Sequence, residues 1–127
     1  MEAKELMAKD WIYDGSINIQ VTPENIFDIY TGNWDEPNPI PLTEEIFKAN
    51  GWKKNGAYND YILKNETYDF VGYNFDNHHL RIRIDPETGE QDLFVSVHNV
   101  HELQHALRLY GLNDLADNFV LTSHQIN

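Results

Sequence analysis

Residues 100–112, VHELQHALRLYGL, place His101, Glu102 and His105 at the spacing of a zinc-peptidase helix. Imidazoles at i and i+4 share one helix face and can hold one metal, and the glutamate after the first can act as general base towards metal-bound water. On a wheel of about 100° per residue the two rings lie within about 40° of each other, with Arg108 beside them. His98 joins the stripe if the helix begins early. On this reading the chain is a compact zinc hydrolase with Glu102 as base, His101 and His105 as ligands and His98 as a further ligand.

The same letters also have a structural reading. Asn99 suits an N-cap, and Glu102 then stands at the third helical position, where its carboxylate reaches back to the cap and meets the positive end of the helix dipole. Val100, Leu103, Leu107 and Tyr110, with Ala106 alongside, form an apolar seam that turns His101 and His105 away from the core. Three residues after His105 stands Arg108 in place of the glycine of the longer metzincin pattern, leaving Asp114, Asp117 and His124 as the next possible ligands. The structural reading is preferred, with zinc kept as the alternative cofactor.

A second constellation is DNHHLRIRID, residues 76–85. Its alternation sets Leu80, Ile82 and Ile84 on one strand face and Arg81, Arg83 and Asp85 on the other. Guanidinium forks suit phosphate or carboxylate, so Arg81 and Arg83, assisted by His78 or His79, form a candidate anion-binding face. Arg108 would add to it if the C-terminal helix packs nearby. The competing reading is a solvated strand face with cross-strand ion pairs. Tyr30 and Trp34 lie in a proline-rich loop, where aromatics mark a binding surface or plug a core edge. The chain has no Walker glycine loop, dinucleotide fingerprint or serine nucleophile elbow.

Several elements must position these residues. ELMAKDWIY and INIQVT flank an Asp14-Gly15 turn and read as a β-hairpin compatible with a small barrel, since two strands cannot stand alone. Thr22-Pro23 starts a short helical turn over PENIFDIY. Thr43 caps a helix with Glu44 and Glu45 in its first turn, and Asn50-Gly51 ends it with Trp52 folding back on Phe47. Period-two segments from Tyr58 to Val97 predict an antiparallel meander of about four strands, with DPETGEQ as a turn. The helix over 100–110 stops at Gly111, and NFVLT is expected to be a last short strand. The fold class is therefore α+β, an N-terminal hairpin and a meander with two helices packed on it. We expect a single domain over 1–127, with 1–31 as a hairpin subregion and 42–127 as a helix–meander–helix core.

Composition narrows the function classes. With 21 acidic against 9 basic residues the net charge is −12, which argues against direct contact with nucleic-acid phosphates. Such acidity suits contact with basic protein surfaces, or solubility alone. The absence of cysteine removes thiolate chemistry and fits a reducing cytoplasm. The sequence has neither a long apolar run nor a charged-then-apolar leader, so no membrane contact is expected.

Three blocks, ELMAKDWIYDGSINIQVTPENIFDIYTGN, PIPLTEEIFKANGWKKNG and VHELQHALRLYGL, in this order resemble a group of small uncharacterised proteins of Bacteroidota phages and prophages. The resemblance covers most of the chain. In that group His101, Leu103 and Gln104 match the last block better than Glu102 and His105 do. Here Ala8-Lys9 stands where the group usually has a glycine-containing turn. The resemblance implies a genomic setting, the cytoplasm of a bacterial host, and no catalytic residues. The leading expectation is a non-enzymatic accessory binding protein. It would act in counter-defence by capturing a nucleotide-derived signal, a small anionic ligand, or a host protein. A zinc hydrolase comes second and an acidic mimic of nucleic acid third.

Overall fold

The computed structural model describes residues 6–33, 37–54, 60–63, 70–84 and 91–121. Trp34, most of the DPETGEQ turn and His124 lie outside the described residues. Met1–Leu42 together with Asn99–Asn127 form one compact unit, and Thr43–His98 form another. The C-terminal helix thus groups with the hairpin. Elements are mixed α and β.

In the first unit β1 (Trp11–Tyr13) pairs antiparallel with β2 (Asn18–Gln20), Ile12 facing Ile19. The Asp14 carboxylate holds the turn by accepting from the amides of Ser16 (2.8 Å) and Ile17 (2.9 Å). Those donors, Ile17 foremost, hold its pKa below the usual aspartate value. Helix α1 (Pro23–Tyr30) begins at Thr22, whose hydroxyl accepts from the Asn25 amide while the Asn25 side chain accepts from the Thr22 amide. Its Ile26 and Ile29, with Ile19, pack on the buried Leu6, Ile12 and Val21.

Ahead of β1, Lys9 and Asp10 together face Val21: the Lys9 amide donates to the Val21 carbonyl and the Val21 amide to that of Asp10. This is a bulge, two residues against one, and its first residue has φ +72°, a left-handed position that glycine occupies without strain.

Among the described residues the hairpin stays a two-stranded sheet and closes no barrel. The free edge of β1 is covered in another way. Tyr13 exchanges backbone hydrogen bonds with Asn38. Beside it, the Gln104 amide oxygen accepts from the Trp11 amide at 2.9 Å while its nitrogen donates to the Lys9 carbonyl at 2.8 Å. One side-chain amide thus takes the place of a peptide group in a neighbouring strand. Gln104 belongs to α3 (Val100–Leu109), and its nitrogen also donates to the Ala116 carbonyl of α4 (Asn113–Asp117) at 3.0 Å. Between the two helices Gly111, at φ +83°, donates to Arg108, and the Leu112 amide reaches back to Leu107 at 2.8 Å. This is a Schellman stop, which bends α4 back towards α3. Phe119–Leu121 form no strand. Phe119 is buried and its carbonyl accepts from the Trp11 indole at 2.6 Å.

In the second unit Thr43 caps α2 (Glu44–Ala49). The same stop follows: Gly51 donates to Lys48 and Trp52 to Phe47, and the Trp52 and Phe47 rings meet edge-on at 4.7 Å. The antiparallel meander runs β3 (Lys53–Lys54), β4 (Asp60–Leu63), β5 (Phe70–Asn74), β6 (His79–Ile84) and β7 (Gln91–Ser96). The two-residue β3 brings the count to five. Phe47 stacks on Tyr61 and Tyr73 and meets Phe75 edge-on, so aromatic rings knit α2 to one sheet face. Leu80 and Ile82 are buried and Arg81 and Arg83 face outward, as the alternation predicts.

Two stability changes follow from the first unit. Gln104→Leu keeps volume but leaves the Trp11 amide without its acceptor, while the Lys9 carbonyl keeps Gln20 and the Ala116 carbonyl keeps the Asn118 amide, so chemical denaturation should show a loss of about 2 kcal/mol. Lys9→Gly relieves the left-handed residue and should stabilise by about 1 kcal/mol, visible as a raised melting temperature.

Candidate functional site

The letters of the zinc signature are engaged by the fold around them. Glu102 Oε1 accepts from the Asn99 amide at 3.0 Å and from the Asn99 side-chain nitrogen at 3.2 Å, which is the capping role read from the sequence. His105 Nε2 lies 2.5 Å from Oδ2 of Asp10. His101 is 8% exposed, whereas the wheel had turned it away from the core. The reason is that the buried face of α3 is wider than its apolar seam: Gln104 joins Val100, Leu103, Ala106 and Leu107 beneath solvent, because β1 and α4 both pack against this helix.

Asp10 is fully buried. Its Oδ2 accepts from the Met7 amide at 2.8 Å as well as from His105, and its Oδ1 takes Arg108 Nη1 at 2.6 Å. Arg108 Nε then reaches Oδ1 of Asp117 at 3.1 Å, and Nη2 the Ala8 carbonyl at 3.3 Å. One guanidinium therefore bridges a buried carboxylate before β1 and a partly exposed one on α4. A buried charge on this scale is tolerable only with such partners. An aspartate–imidazole pair is also the rear half of a nucleophile triad. No serine or threonine hydroxyl bonds His105 among the described residues, however, and no group of three His, Asp or Glu there could hold a metal. The arrangement clamps α3 and α4 onto the N-terminal segment.

The anion candidates divide accordingly. Arg108 belongs to this clamp in the first unit. Arg81, Arg83 and His79 share the outward face of the meander in the second, where Lys53, Ile62, Gly72, Arg81 and Phe94 form one row across all five strands. Arg81 lies over the Phe94 ring, 5.1 Å from guanidinium carbon to centroid, and His79 meets the same ring edge-on at 6.5 Å. Phe94 is 59% exposed. A cation stacked on a solvent-facing aromatic offers a planar anion both a face and a charge.

His78 sits in the turn before β6, not on the strand, and its ring pairs with that of His98 just past β7, centroids 4.6 Å apart. His98 lies two residues before α3 and so stands outside the helical stripe of His101 and His105. Sequence reading gave no role to Asp10 or Phe94 and named Gln104 only within the three-block resemblance. For Gln104 a signal was present, because its spacing from Val100 and Leu107 sets it inside the apolar seam. For Asp10 there was none, because its partners lie 95 and 98 residues away.

No family model, curated protein or solved structure matches the chain.

Arg108→Ala strips Asp10 of its guanidinium and should cost about 3 kcal/mol of stability by denaturant titration. Glu102→Gln keeps an acceptor at the cap and should cost well under 1 kcal/mol. The opposite ranking would show that the clamp is not the dominant contact.

Proposed function

We propose that the chain is a non-enzymatic binding protein. The outward face of its meander takes a small anionic ligand with a planar body, of the kind found in nucleotide-derived signals. The Arg81–Phe94 pair carries this reading. An aromatic ring left more than half exposed on the edge strand β7, with a guanidinium already laid over it, is a stacking platform beside a positive charge. Arg83 and His79, on the same face, add donors for phosphate or carboxylate. The chain is otherwise strongly acidic, and the row from Lys53 to Phe94 carries no acid, Asp60 and Asp92 standing in the adjacent rows of the same face, which favours an anion at Arg81 and Phe94.

The genomic part of the proposal, a phage or prophage accessory protein acting in counter-defence in the bacterial cytoplasm, rests on the three-block resemblance. No helix among the described residues is long and apolar enough to cross a membrane. A second reading, capture of a host protein, is favoured by Phe27 and Tyr30 on α1, which are 63% and 79% exposed and share that helix with Glu24 and Asp28.

Thermal-shift and calorimetric titrations with cyclic dinucleotides and ADP-ribose derivatives test the first reading. At a hundredfold excess over Kd a genuine ligand stabilises by about 2.7 kcal/mol. The shift should vanish in Arg81→Ala and Phe94→Ala and survive Lys53→Ala weakened. No shift with any of these ligands would discard the nucleotide reading and leave protein capture.

A further inference from the structure

We propose that His78 and His98 form a two-imidazole site for a divalent transition-metal ion, Zn2+ or Cu2+, at the end of the meander where the β5–β6 turn meets the exit of β7. The two rings lie 4.6 Å apart between centroids, tilted by 39°. Two imidazoles on one tetrahedral ion, with nitrogens about 2.0–2.1 Å from the metal, put their centroids about 5 Å apart. The centroid separation is thus close to that of a chelating pair, and His98 Nε2 lies 3.5 Å from the Ser96 hydroxyl oxygen.

The hydrogen bonds behind His78 prepare it as a ligand. The Tyr73 hydroxyl has a single proton, and it donates to the Val97 carbonyl at 2.8 Å. Towards His78 Nδ1, at 3.1 Å, that hydroxyl can only accept, so Nδ1 carries the ring proton and Nε2 presents its lone pair. A metal-binding histidine whose other N–H is held in this way has its tautomer and ring orientation fixed in advance. Tyr73 is itself locked by stacking on Phe47.

The backbone points the same way. His78 has φ +59°, in a turn held by Asn74 Oδ1, which accepts from the amides of Asp76 and Asn77, and by Asn77 Oδ1, which accepts from that of His79. Glycine would occupy this left-handed position without strain, yet the chain keeps an imidazole there. Strained residues of this kind cluster at functional sites. Nitrogen donors without thiolate select zinc or copper over magnesium or calcium, and the net charge of −12 raises the local concentration of any cation. The remaining coordination positions are left to water or to a further ligand.

The test is calorimetric titration of the untagged full chain with Zn2+ and with Cu2+, beside H78G, H98A and Y73F. H78G removes the imidazole while relieving the left-handed backbone, so its melting temperature should hold or rise. One ion should bind per chain, and each histidine variant should weaken it by at least about tenfold. Y73F keeps both rings but loses the hydroxyl that sets the tautomer, and should weaken binding by about tenfold with folding intact. Binding that persists within twofold in both H78G and H98A, or no binding of either ion by the unaltered protein, overturns the proposal.

Discussion

Asp10 is a carboxylate without exposure to water, and the first unit is organised around keeping it from being alone. Its own turn supplies one donor, the Met7 amide. The other two come from α3, as His105 and Arg108, three residues apart and so on one face of that helix. An isolated buried carboxylate would cost several kcal/mol, a large share of the stability of a domain of this size. Docking of α3 against the segment before β1 is therefore a condition of folding for this unit. Gln104, one residue before His105, adds its amide to the same junction by standing in for a missing strand beside β1. A two-stranded hairpin that would be marginal alone gains a covered edge and a helical backing.

This constraint also explains the zinc-like spelling of the helix. His105 is required by Asp10, and Glu102 by the cap at Asn99. His101 falls four residues earlier, on a face that β1 and α4 make interior. Glu102 and His105 each have a hydrogen-bond partner inside the unit and His101 is buried, so three separate structural requirements reproduce the peptidase pattern. Function is better sought where polar and aromatic groups meet solvent, on the outward row of the meander and in the histidine pair at its end.

Much of the local structure was readable in the chain. Thr22-Pro23, Thr43 and Asn99 mark helix starts, and Asn50-Gly51 and Tyr110-Gly111 mark stops, because capping and left-handed turns depend on residues a few positions apart. The alternation Leu80, Arg81, Ile82, Arg83 assigned both strand faces correctly, since a strand has period two whatever it packs against. The anion candidates were only partly legible. Arg81, Arg83 and His79 share a face by alternation, but Phe94 joins them only through the pairing register of β6 with β7.

What the sequence by itself determined is thus most of the elements, with their caps and their two-faced character, which follow from short-range sterics and periodicity, while β3 and α4 were not read from it. What only the tertiary structure decided is which polar residues are interior. Whether Arg108 meets a ligand or Asp10, whether His101 sees water, and whether His98 pairs with His105 or with His78 depend on contacts between segments remote in sequence. No local pattern encodes such contacts, because burial is a property of the packed arrangement and not of the helix or strand that carries the residue.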